Sequence, residues 1–313
     1  MHSSGSFLRT VIERIRTYLD EPDVDAKFTD DYIVRHVICP GMVDVISRIN
    51  NTTTAPIILE ATLTMDGEET RFVLPPCIAQ VHRFVVQNDA GDPILDVLPR
   101  DIYNRLGVGW RLEGSPSSFV IVVPSPPAGT NTIKVWYTSN GDILPHLASG
   151  TLAEDADTLL NTVTLATTPT LGSVDRREGA YIGQYLRILT SGDTNPPIEE
   201  RPIVSHDRVG SSWKVVVDPP FEHASVGTIT YEIVPCGAQS MMEATAAWCA
   251  SKLGTARKIS NEHMSRILTN YRASLKTIGD NLTTAQARMP HTYPRDTIDS
   301  PQNQSPFTWS PIR

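Results

Sequence analysis

Acid–base chemistry in this chain of 313 residues would fall first to its eight histidines, and they stand singly, at His2, His36, His82, His146, His206, His223, His263 and His291. No two share the spacing that would put a pair of metal ligands on one helix face. The nearest approach to an acid–base pair is His206-Asp207. Neighbours on a strand project to opposite faces, so these two could cooperate only from a turn, and the turn preference of Asp places them at a strand end. Glu154, Asp155 and Asp157 cluster oxygen donors of the kind Ca²⁺ needs, but without the loop spacing and glycine of a helix–loop–helix calcium site they read as a solvated acidic linker. Cys39, Cys77, Cys236 and Cys249 are far apart and form no CxxC pair, so they read as small buried hydrophobes of a chain folding in a reducing cytosol. The GxSxG, phosphate-loop, GxGxxG and HExxH patterns are missing too. The expectation is a protein with no catalytic, cofactor or metal site, an enzyme built on His206 being the dissenting reading.

Charge narrows the partners. The formal net charge is −8, which disfavours general binding to nucleic acid. Between Lys252 and Arg288, however, seven basic residues meet two acids, a local +5. Arg257, Lys258, Arg266, Arg272 and Lys276 form a basic interface helix suited to an acidic subunit or partner, with a solvated face and DNA contact as the other readings. No run of 18 apolar residues is present, and the first residues turn amphipathic where a secretion signal would stay apolar.

The elements that must position these groups follow from periodicity. Leu8, Val11, Ile12, Ile15, Tyr18 and Leu19 recur at helical steps, and Glu21-Pro22-Asp23 ends that helix. Thr29 should cap a second helix, with Asp30 and Asp31 in its first turn and an apolar stripe from Ile33 to Ile49; Pro40-Gly41 should kink it. Strands are then expected at 57–65, 70–74, 81–86, 118–123 and 132–137, with a helical turn near 99–106. A linker or short helix over 144–158 opens a second block, with strands at 162–166, 185–190, 200–205, 214–217 and 228–234. Strands at this spacing with no helices between them imply antiparallel sheet, as a small barrel or sandwich.

Helix returns at Ser240, in segments near 240–253 and 257–284 that Gly254 should separate, with an apolar stripe from Met264 to Leu282 expected to pack on the N-terminal helices. The last residues, from Pro290, carry five prolines and no periodicity, yet include Tyr293, Ile298, Phe307, Trp309 and Ile312. That combination suggests an extended tail that orders on a partner. The fold class expected is α+β: a helical bundle of N- and C-terminal helices, two inserted antiparallel β modules and an extended C-terminal tail. The divisions fall at 1–50, 51–138, 139–235, 236–289 and 290–313.

The order of these features resembles a family. FLRTVIERIRTYLDEPD followed by FTDDYIVRHV is similar to the opening of tailed-phage head-to-tail adaptor (connector) proteins of the SU10 adaptor type, with Phe28, Thr29, Asp30 and Ile33 filling the motif that opens the second helix. FVLPPCIAQVHRF, LPRDIYNRLG and SFVIVVPSPPAGTNTIKVWYT then follow in the family's order, so the resemblance covers about residues 7–138. It implies a structural virion protein of the neck, assembled in the host cytoplasm. Such a protein forms a ring with copies of itself, usually twelve, beneath the portal protein. The ring extends the DNA channel without sequence-specific DNA binding and presents a surface to tail or nozzle proteins, with no membrane involved. The tail anchors would dock on the portal. A different reading of the residues is a carbohydrate-binding β module, with Trp110, Trp136 and Trp213 stacking on sugars.

Overall fold

A computed structural model describes residues 6–21, 27–52, 58–65, 70–75, 78–88, 90–97, 111–114, 119–122, 129, 131–139, 145–152, 161–190, 199–222, 229–235 and 237–288. They form an α+β structure of helices and antiparallel sheets.

Helix α1 (Phe7–Tyr18) begins where Ser6 accepts a hydrogen bond from the Arg9 amide at 3.2 Å. Its buried stripe is Phe7, Leu8, Val11, Ile12 and Ile15. Thr29 caps α2 (Asp30–Ile33) by accepting from the Tyr32 amide, as expected. The chain then passes through a π-helical turn, Val34–Ile38, into α3 (Cys39–Thr52). Proline was expected to disturb this helix at Pro40-Gly41, but the irregularity lies one turn earlier. Pro40 offers no N–H to the His36 carbonyl and its ring crowds that group, so the preceding turn widens.

Helices α4 (Ala238–Arg257) and α5 (Asn261–Arg288) follow the sheets. The break between them is at Lys258–Ser260, not at Gly254, which stays helical. Lys258 adopts φ 59° and ψ 43°, with its amide on the Thr255 carbonyl and the Ile259 amide on that of Gly254, both at 3.2 Å. Ile259 folds back over the last turn, and a Cβ on Gly254 would lie 2.7 Å from its Cδ1. The glycine therefore serves close packing, while a lysine occupies the left-handed position that a glycine usually fills. Twelve of the 20 residues of α4 are buried, and that makes it the central helix. It is rich in alanine, and a Cβ on Gly41 would come within 2.7 Å of Cys249 Sγ, so small residues let α3 and α4 meet closely. One apolar cluster joins Phe7, Ile15, Val34, Met42, Ile49, Ala246, Cys249, Ile267 and Tyr271, drawn from helices at both ends of the chain.

Fourteen strands are described. The first seven are β1 (Ile58–Met65), β2 (Arg71–Val73), β3 (Ile78–Gln87), β4 (Pro93–Val97), β5 (Arg111–Glu113), β6 (Val120–Val122) and β7 (Asn131–Ser139). They make a four-stranded sheet of order β1-β7-β3-β4 and a three-stranded one of order β2-β6-β5. Phe72, Leu112 and Ile121 of the smaller sheet share a core with Phe84, Val135 and Tyr137 of the larger. The remaining strands are β8 (Ala148–Thr151), β9 (Thr162–Thr164), β10 (Leu171–Gly172), β11 (Tyr185–Thr190), β12 (Glu199–Val209), β13 (Ser212–Val217) and β14 (Thr230–Val234). They form one sheet of order β10-β8-β14-β11-β12-β13-β9 around Leu165, Tyr181, Leu186, Val215 and Tyr231. Strand β12 runs four residues past its expected end, so His206 and Asp207 sit in mid-strand rather than in a turn. Residues 145–152, expected as linker or short helix, include β8 instead. The expected turn at 99–106 lies outside the described residues.

Strand β14 also carries the joint to the helices. Glu232, fully buried, accepts hydrogen bonds from Ser6 Oγ (3.0 Å), the Phe7 amide (2.7 Å), the Leu8 amide (3.2 Å) and Arg187 Nη1 (2.7 Å). The carboxylate thus satisfies the free N–H groups that open α1 and lies at the positive end of its dipole. Burial pushes its carboxyl above the ordinary value, and the Phe7 amide and Arg187 pull against that shift.

Two outcomes follow for unfolding in urea at neutral pH. Glu232→Ala, which strands Arg187 and the α1 amides, should cost about 3–5 kcal/mol, and Glu232→Gln distinctly less. Lys258→Gly should raise stability by about 1 kcal/mol, because glycine carries no steric penalty at positive φ.

Candidate interaction surface

The residues that carry the family resemblance are held by buried charges. Arg16 is almost fully buried, pairs with Asp30, and donates to the Phe28 carbonyl at 3.1 Å. Glu21 is buried as well; it accepts from the Lys27 amide and lies 3.5 Å from Arg257 Nη1. Arg257 also donates to the Leu19 carbonyl at 3.2 Å. His263 Nε2 stands 2.6 Å from the Tyr18 carbonyl, so this nitrogen carries the proton. The end of α1, the acidic turn after it, the start of α2 and the α4–α5 corner are therefore stitched together by polar groups. At the start of α2, the half-buried Phe28 stacks on the exposed Tyr32 at 5.5 Å, and Tyr32 lies tilted against the exposed His36 at 4.9 Å.

The five expected interface residues divide. Arg257 is half-buried and engaged within the chain by Glu21 and the Leu19 carbonyl; Lys258 forms the corner. Arg266, Arg272 and Lys276 are exposed on α5, away from its buried Ile267, Tyr271 and Ile278. The buried side is locked to α3: the Tyr271 hydroxyl donates to Asp44 Oδ2, and Arg48 Nε donates to the same oxygen at 2.7 Å. Burial and the Asp44 carboxylate push the Tyr271 phenol up. Tyr293, Ile298, Phe307, Trp309 and Ile312 lie outside the described residues, as do Glu154, Asp155, Asp157, Trp110, Cys77 and Cys236.

His206 and Asp207 point to opposite faces, buried and exposed respectively. His206 lies between Tyr181 (4.5 Å) and Trp213 (4.8 Å), and burial lowers its pKa to about 4. Trp213 thus already carries a ring on one face, and Arg83 sits over Trp136 at 5.5 Å. Cys249 and Cys39 are free thiols, both pushed up by burial. Among the described residues no three His, Cys, Asp or Glu side chains cluster as a metal site, and no helix is long and apolar enough to cross a membrane. The buried set Arg16, Glu21, Arg187 and Glu232 was not picked out by sequence reasoning. Its one visible sign is a charged residue inside the apolar run TYEIV.

Compared with known proteins, the sequence matches no family profile and no curated protein. One solved structure aligns, the flagellar hook junction protein FlgK from Burkholderia pseudomallei. It does so at 10% identity and a TM-score of 0.13, over 81% of this chain and 59% of that one. Likeness at that level carries no argument about fold or function.

Single substitutions should separate the two kinds of basic residue. Arg257→Ala should lower the urea midpoint by the equivalent of about 1–3 kcal/mol, since it removes the cation beside the buried Glu21 carboxylate and the donor to the Leu19 carbonyl. Arg266→Ala, Arg272→Ala and Lys276→Ala should each stay within about 0.5 kcal/mol of the parent.

Proposed function

We propose that the chain is a head-to-tail adaptor of a tailed-phage virion, a structural protein acting as a ring of copies beneath the portal. In this reading the N- and C-terminal helices are one bundle with two antiparallel β modules inserted, and the ring wall extends the DNA channel. The observation that carries the proposal is the apolar cluster shared by Phe7, Ile15 and Met42 from the N-terminal helices with Ala246, Ile267 and Tyr271 from the C-terminal ones. The sheets are thereby held between two chain ends that meet, in the element order of the adaptor family. The residues of the family motif support it too. Thr29 caps, Asp30 binds Arg16, and Ile33 is buried, so each has a positional role in opening the second helix.

Arg266, Arg272 and Lys276 then face a neighbouring subunit or the portal, and the segment 290–313 clamps the portal through its five apolar anchors. An acidic chain lining a channel repels the passing DNA, which suits transport without binding. Ring formation by a repeated heterologous contact needs no catalytic group.

The test is reconstitution. The purified protein should be monomeric or weakly associated by native mass spectrometry, and should form a closed ring, seen in class averages, when mixed with the portal of its phage. Removing 290–313 should leave the urea midpoint unchanged and abolish portal attachment. Normal attachment by the truncated chain would reject the clamp, and no ring with the intact chain would reject the adaptor itself.

A further inference from the structure

The segment 173–184 joins β10 to β11 of the seven-stranded sheet, is hydrogen-bonded to β12 through Gly183 and Gln184, and inserts one side chain into the other β core. At one end the Ser173 amide donates to the Leu147 carbonyl at 3.1 Å, and Asp175, fully buried, is held by Arg177 at 2.7 Å. In the middle, the Gly179 amide donates to the His206 carbonyl at 2.8 Å and Tyr181 covers the His206 ring. At the other end, Ile182 belongs to the core of the four- and three-stranded sheets. Gly183, at φ 79°, lies so close to Tyr137 that a Cβ there would be 2.4 Å from its hydroxyl.

What lies beneath this segment is unusual. Both polar atoms of the Gln184 side chain are buried with no hydrogen-bond partner among the described residues, and the buried His206 ring has no polar partner beyond the Arg177 backbone. Buried polar atoms left unpaired destabilise the closed state, and hydration on opening would satisfy them. A proton on His206 adds a charge to the same enclosed space. The groups facing it are Asp175, Arg177 and Tyr181 of the segment, His146 beside Tyr181, and Trp213 on β13; Asp207 and its cross-strand partner Lys214 lie on the other face of the sheet. Asp175, the carboxylate on the buried side, is already committed to the Arg177 guanidinium.

We propose that residues 173–184 form a latch between the two β cores, and that proton uptake by His206 opens it. Opening withdraws Ile182 from the first core and loosens the two β parts, which still touch where β1 meets β12, while both sheets stay folded. The direction is set by the histidine, whose ring holds its proton less well when enclosed (about 4) than when free (about 6.5). Closure is complete above the free value and is lost as pH falls from there toward the enclosed one. The inference does not depend on the adaptor reading.

Hydrogen exchange followed by mass spectrometry on the full chain, with intrinsic rates corrected for pH, tests it. Between pH 7 and pH 4.5, peptides spanning 173–184 should lose protection by roughly fifty-fold while peptides from β3 and β7 keep theirs. In His206→Phe, whose ring fits between Tyr181 and Trp213, the pH step should vanish. His206→Gln, which is neutral throughout, should behave alike and serves if the phenylalanine variant does not fold. A pH step that survives in a folded variant overturns the proposal. So does loss of protection across all strands together, which would mean global unfolding.

Discussion

A carboxylate with no access to water has to find its hydrogen-bond donors inside the protein, and Glu232 finds them at the first turn of α1. That requirement ties β14, an interior strand of the seven-stranded sheet, to the first helix. Because β14 runs into α4 almost at once, it also ties the start of α1 to the start of the central helix. The direction in which the helical layer leaves the sheet follows from it. Arg187, on the neighbouring strand β11, completes the arrangement by pairing with both Glu232 and Glu200, so the charge is neutralised within the sheet itself. An apolar substitute at position 232 could fill the space but would leave the α1 amides without acceptors.

The far end of the same helices is fastened by a second set of polar groups. Arg16, Glu21, Asp30 and Arg257 close the turn between α1 and α2 against the corner after α4. Between the two ends, contact depends on small residues. Gly41 lets α3 approach Cys249, Trp248 and Thr245 of α4 to a distance that a larger side chain would prevent. Polar groups thus set where the helices begin and end, and small apolar residues set how closely they lie.

Much of this layout was legible in the sequence. The stripes of α1 and α5, the Thr29 cap and most of the long strands follow from periodicity of 3.6 or 2 residues, which depends on the chain alone. What escaped depends on partners distant in sequence. Gly254 looks like a helix breaker by composition, yet Ile259 packing against it keeps the last turn of α4 intact, and Lys258 takes the corner. His206-Asp207 looks like a turn, yet pairing with β13 as far as Val209 extends the strand. Arg257 looks like one more exposed cation of a basic helix until Leu19 and Glu21, some 240 residues earlier, engage it. The short strands β5, β8 and β10 have too few residues to show any period.

The two joints of the seven-stranded sheet differ in kind, and the difference has a consequence for any assembly built from this chain. At Glu232 the Ser6 hydroxyl, the Phe7 and Leu8 amides and an Arg187 N–H all meet one carboxylate, so separating the sheet from the helices would break four hydrogen bonds to a charged group. At the segment 173–184 backbone hydrogen bonds hold the chain on its own sheet, and the other core is met by Ile182, by Gly183 against Tyr137 and by the contact of β1 with β12. Strain applied between the three parts would be relieved at the weaker joint first. The helical layer and the seven-stranded sheet therefore behave as one unit. The four- and three-stranded sheets are the part free to adjust, and in a ring they could follow the shape of a neighbour without disturbing the helices that hold the chain ends together.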